Sequence, residues 1–188
     1  DQLRTLMPGS GHLCHMPSHI DVRCGHYYQA IIANDQAIMA DRVYLANEGA
    51  MNYHTLSRIH NFHLKIYAAM FLGQFSTAMD AVEELIETTP EELLRIENPA
   101  MADWMEAYIG IKAHVFIRFG IWQVIIDHAL PVVQALYAMT TALWRYAKSI
   151  AYAATGPLDS QSLHPDFILG AVDKVPTNIH SSTTNYLV

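Results

Sequence analysis

Cysteine is nearly absent from this sequence, with only Cys14 and Cys24 in 188 residues. On one helix the two would stand roughly 15 Å apart, well beyond the about 7 Å between Cα atoms that a disulfide spans. A disulfide-stapled fold is therefore excluded, and two unpaired thiols suit a reducing, cytoplasmic setting. Basic residues are also scarce: eleven Lys and Arg face eighteen Asp and Glu, for a formal net charge of −7. With no cluster of Lys or Arg, the chain lacks what nucleic-acid phosphates require. Long uncharged apolar runs are missing as well. Residues 104–130 carry Glu106, Lys112, Arg118 and Asp127, and residues 131–155 carry Arg145 and Lys148. Both stretches read as buried helices of a soluble protein with no membrane partner. The first residues, Asp1-Gln2-Leu3-Arg4, show no leader of the charged-then-apolar kind.

What is present is an apolar, helix-forming chain, 52% hydrophobic, with few and isolated glycines. Its length suits one domain with a sizeable core. Internal repetition is visible around those glycines. Arg23-Cys24-Gly25-His26-Tyr27, Phe71-Leu72-Gly73-Gln74-Phe75 and Arg118-Phe119-Gly120-Ile121-Trp122 share a glycine with an aromatic residue two positions on. Ala153-Ala154-Thr155-Gly156 is a weaker fourth copy. A glycine between two helical patterns predicts a helix that ends in a left-handed turn and doubles back. Ala30-Ile31, Asn34, Ala37-Ile38 and Ala78-Met79, Val82, Leu85-Ile86 carry the helical apolar period of the second arms. Small residues at Ala30, Ala37, Ala69 and Ala78 predict close helix crossings.

Gly73-Gln74-Phe75 with Ala78 and Pro90, and Gly25-His26-Tyr27 with Ala30 and Ala37, resemble the tetratricopeptide repeat, a 34-residue helical hairpin. The resemblance implies an all-α fold of antiparallel hairpins stacked as a right-handed superhelix, an α-solenoid. Here the glycines lie 48, 47 and 36 residues apart, so linkers of about a dozen residues are expected between the first hairpins. His15-Met16-Pro17-Ser18-His19-Ile20, His60-Asn61-Phe62-His63 and residues 115–122 further resemble uncharacterised microbial proteins of that repeat family. Those relatives are longer, which implies a fragment or processed form whose uncapped apolar face invites a homo-oligomer. One domain is expected over residues 1–156, with hairpins around Gly25, Gly73, Gly120 and Gly156. Residues 157–188 read as a short helix and tail of the same domain.

Histidine is the outstanding excess, eleven residues and as many as Lys and Arg together. His12, His15 and His19 form one helical stripe that Arg23 extends; His60, His63 and Tyr67 form a second. Counting back from the turn glycines sets His12 level with His60, His15 with His63, His19 with His114 and Arg23 with Arg118. The repeat resemblance implies that these positions line a concave groove. Imidazoles paired at i, i+3 and i, i+4 on neighbouring helices are the chemistry of metal ligation, so His15, His19, His60 and His63 are the expected ligands. Zn, Cu or Fe suits them. His12, Arg23, Tyr67, His114 and Arg118 are the expected groove residues, with the arginines suited to an anionic small molecule. Pro17 is the weak point, because a helix broken there separates His15 from His19.

The expected function is therefore a metal-binding helical-repeat protein, with catalysis on a small molecule left open. The alternative is an interaction scaffold that binds a peptide in its groove without catalysis. A nucleophilic Cys14 is the weakest option, since it points away from the histidine stripe. His54 is expected at the surface, and Asp41 on a solvated face.

Overall fold

The computed structural model describes residues 2–156, and the short helix and tail expected over 157–188 lie outside them. All the regular elements of the described residues are helices, with no strand and only an isolated bridge between Glu97 and Ala100. It divides into two compact units, residues 1–93 and 94–188.

The first unit contains α1 (Leu3–Leu6), α2 (Gly11–His15), α3 (Ser18–Arg23), α4 (Tyr27–Glu48), α5 (His54–Phe71) and α6 (Phe75–Glu87). A short α7 (Glu91–Leu94) straddles the boundary. The second unit contains α8 (Met101–Ile109), α9 (Ile111–Arg118), α10 (Trp122–Asp127) and α11 (Ala138–Thr155). No helix among the described residues is long and apolar enough to cross a membrane.

The turn glycines behave as their spacing predicts. Gly25, Gly73, Gly120 and Gly156 all have positive φ, between 70° and 94°, each just past a helix end. The expected dozen-residue linker between the first two hairpins is absent. Its residues extend α4, which runs 22 residues without Pro or Gly before Gly49, at φ 70°, turns the chain into α5. Ala30, Ala37, Ala69 and Ala78 are wholly buried where α4, α5 and α6 cross. Ile38, Ile59, Phe62, Ile66, Val82 and Leu85 fill the space around them, each burial stabilising by about 1.5–3 kcal/mol.

Some charged residues are buried with partners. Arg58, 2% exposed, donates to the Thr88 hydroxyl and to the Thr88 carbonyl. Asp41, expected on a solvated face, is 1% exposed and accepts from Asn61 Nδ2 at 2.7 Å and His54 Nε2 at 3.1 Å. His54 is accordingly a half-buried partner of Asp41, packed against Tyr44 with ring centroids 4.1 Å apart. The carboxylate fits only because residue 11 is glycine: a Cβ there would meet Asp41 Oδ1 at 2.1 Å.

In the second unit, Met105, Tyr108, Val115, Ile125, Trp144 and Ala147 form the core. Buried Glu106 accepts from the Met139 and Thr140 amides at 2.7 and 3.1 Å. It thereby satisfies the first free N–H groups of α11 from a neighbouring helix. His128 stacks on Trp144 with centroids 3.5 Å apart.

Candidate metal centre

Pro17 has no amide hydrogen to donate, so the first helical arm is interrupted as a hydrogen-bonded element. α2 stops at His15 and α3 starts at Ser18. The backbone does not turn away, however. Met16 (φ −49°, ψ −39°) and Pro17 (φ −60°, ψ −26°) both stay in the right-handed helical region. The His19 amide shifts to the Met16 carbonyl, and the Ser18 hydroxyl donates to the His15 carbonyl at 2.6 Å in its place. The i, i+4 geometry therefore survives. His15 Nε2 and His19 Nε2 lie 2.9 Å apart.

α5 adds the third imidazole. The His60 ring centroid lies 4.6 Å from that of His15 and 5.5 Å from that of His19. Ring nitrogens of His15, His19 and His60 fall within 4.8 Å of one another, the one such group of three among the described residues. Two nitrogens on a tetrahedral zinc at about 2.0–2.1 Å stand about 3.3 Å apart, so small side-chain adjustments would seat an ion.

Asn34 on α4 fixes the orientation of His15. Its Nδ2 donates to the Ala30 carbonyl at 2.7 Å, leaving Oδ1 to face His15 Nδ1 at 2.8 Å. An amide oxygen only accepts, so Nδ1 must carry the proton and Nε2 presents its lone pair to the cluster. This is the outer-shell arrangement by which proteins select the tautomer of a ligating histidine. Asn34 is wholly buried. Its signal was present in the sequence, as a polar residue within the apolar stripe of Ala30, Ile31, Ala37 and Ile38.

The cluster also favours neutral imidazoles. Burial, reinforced by His60, His19 and His12 against the opposing Asn34 bond, holds His15 down to about 3. Burial, with His19 and His12, holds His60 down to about 4, and burial and His12 lower His19. At neutral pH all three are uncharged, the state a metal requires. In the metal-free chain the His15 Nε2 lone pair accepts the His19 Nε2–H at 2.9 Å, and a change of tautomer at His19 would free both nitrogens for an ion.

The remaining expected residues have varied positions. His12 is exposed, its ring stacked on His15 at 5.5 Å between centroids and 6.3 Å from His60. His63 is buried on α5 and stands outside the group of three. Counting back from the glycines sets His15 level with His63, whereas the α5 ring that joins His15 in the group of three is that of His60. Equal counts mark equivalent positions within each helix, and do not by themselves say which rings meet across the two. Arg23 is exposed at the end of α3. Tyr67 lies two turns beyond His60, its ring 4.7 Å from Phe71, on which Tyr27 also stacks at 4.8 Å. Burial raises the Tyr67 phenol. His114 and Arg118 belong to the second unit, where His114 Nε2 is buried without a hydrogen-bond partner and Arg118 is exposed over the Phe119 ring.

Cys14 is 1% exposed, its thiol directed at the Met7 carbonyl at 3.6 Å, and burial with nearby Asp41 raises its pKa. A buried thiol held protonated is a poor nucleophile. Comparison finds no family model, no curated protein and no solved structure that matches the chain.

Proposed function

We propose that the first unit binds a transition metal through His15, His19 and His60. The observation that carries this reading is three neutral imidazoles with nitrogens within 4.8 Å of one another, one of them locked by Asn34 with its lone pair inward. An all-imidazole set suits Zn, Cu or Fe. Three histidines leave a further coordination position for water or substrate, the pattern of catalytic rather than closed structural zinc sites. Such an ion would act as a Lewis acid on a small molecule, and exposed Arg23, one turn beyond His19, favours an anionic one. The helical hairpins are proposed as tetratricopeptide-like repeats, a reading supported by the left-handed turn glycines with an aromatic or large apolar residue following.

Zinc titration of chelator-treated protein tests the metal reading. One zinc per chain is expected for the wild type, and none for a His15→Ala/His60→Ala variant that keeps its helical circular dichroism. Equal uptake by both would overturn it.

A second reading, an interaction scaffold, is favoured by one feature. Tyr28, Ile32, Met39 and Val43 line the outer face of α4 at helical spacing and are 57%, 41%, 63% and 64% exposed. Met39 and Val43 also border a cavity of about 720 Å³ walled by Pro8, Cys14 and Tyr44. Under this reading, capture of a peptide partner survives strong chelators and is lost on Met39→Asp/Val43→Asp substitution.

A further inference from the structure

We infer that His12 is a fourth, displaceable ligand of this centre, an inference that rests on the metal-binding reading above. An imidazole nitrogen about 2.0–2.1 Å from zinc places its ring centroid about 3.2 Å from the ion, so rings sharing a tetrahedral ion have centroids about 5.2 Å apart. The His15–His19, His15–His60 and His19–His60 separations are 4.7, 4.6 and 5.5 Å. His12 stands 5.5 Å from His15 and 6.3 Å from His60, beside but outside the group of three whose ring nitrogens lie within 4.8 Å of one another. Its separation from His60 is about an ångström wider than that of rings sharing an ion.

His12 differs from the other three in how it is held. His15 is wholly buried, and His19 and His60 are half-buried, whereas His12 is exposed on the first turn of α2. Its ring contacts are to His15 and His60, and among the described residues no hydrogen bond fixes its nitrogens. Exposed side chains change rotamer in picoseconds to nanoseconds, so His12 can swing onto the ion or off it without disturbing the helix. The three inner histidines hold the metal, and the solvent-facing position alternates between His12 and an incoming small donor. That position faces water, so the competing ligand is a small anion of the hydroxide or carboxylate class.

The test compares the full chain with His12→Ala, using zinc competition against a chromophoric chelator and the visible spectrum of the cobalt(II)-loaded protein. The variant is expected to bind zinc at least tenfold more weakly and to show a changed cobalt spectrum, which added imidazole restores. Azide, as the probe anion, is expected to bind the cobalt-loaded variant more tightly than the wild type. Unchanged zinc affinity with an unchanged cobalt spectrum would overturn the role of His12 while leaving the three-histidine site standing. A wild-type chain that takes up no metal would overturn the underlying site as well.

Discussion

At the scale of single residues, Asn34 carries the most testable burden. It joins the core of α4 to the tautomer of His15, so its removal acts on both stability and metal affinity. Asn34→Ala is expected to weaken metal binding by roughly 10–100-fold, the usual cost of losing an outer-shell partner. Leaving the buried His15 Nδ1–H unpaired should also cost about 1–3 kcal/mol in urea unfolding. A variant with wild-type affinity would show that Asn34 does not set the tautomer. Gly11 gives an independent prediction. A Cβ at 2.1 Å from Asp41 Oδ1 and 2.8 Å from the Ala37 carbonyl cannot be accommodated. Gly11→Ala should therefore lose about 1–3 kcal/mol or more in equilibrium unfolding.

Residue chemistry was partly legible in the sequence. Histidine periodicity picked out His15, His19, His60 and His63, of which the first three come together, because i, i+3 and i, i+4 spacing is a local property of a helix. Periodicity did not reveal that Asp41 is buried against Asn61 and His54, since acids at regular helical positions usually face water. That pairing depends on Gly11, which is thirty residues away along the chain. Asn34 was legible only as an anomaly within an apolar stripe.

At the scale of elements, the interruption at Pro17 is tolerated because the helix changes its bonding and keeps its direction. Ser18 takes over the His15 carbonyl, and both flanking residues stay helical in φ and ψ. Spacing arguments within the His12–Arg23 segment therefore hold across Pro17, whereas the register between this segment and α5 is set by packing and not by equal counts from the glycines. Across the two helices, the ring of His60 lies 4.6 Å from that of His15. The lengthened α4 is a similar case: glycine spacing predicted extra residues, but whether they form linker or helix depends on the absence of Pro and Gly from 27 to 48. In the second unit, Glu106 replaces a local cap by satisfying the amides of Met139 and Thr140 from another helix. Glu106→Ala should destabilise this unit by roughly 1–2 kcal/mol, in the range of lost helix caps. Thermal unfolding followed by circular dichroism reads the effect, and an unchanged midpoint would show that the carboxylate contributes nothing.

At the scale of the whole molecule, the all-helical class was legible from apolar periodicity and turn glycines. The division into two compact units was not, because no Pro-, Gly- or Ser-rich linker marks the boundary at Leu93 and Leu94. The histidine cluster also gives the molecule a defined acid response. Its imidazoles have lowered folded-state pKa values, so below the ordinary value near 6.5 the unfolded chain takes up protons that the folded chain does not. Stability is full above that pH and falls as pH drops toward the folded values of about 3 and 4. The slope is about 1.4 kcal/mol per pH unit for each such histidine. Urea unfolding of the metal-free chain between neutral pH and pH 4 should show this decline, and a His15→Ala/His60→Ala variant should show a shallower one. Bound metal acts in the opposite direction, adding about 2.7 kcal/mol when free ion stands at a hundred times its dissociation constant.

The most direct measurement is elemental analysis of the wild-type chain and the His15→Ala/His60→Ala variant, both isolated without a histidine tag or chelators. Close to one transition-metal ion per wild-type chain is expected, with negligible metal in the variant. Negligible metal in both, or equal metal in both, would contradict the metal-binding reading.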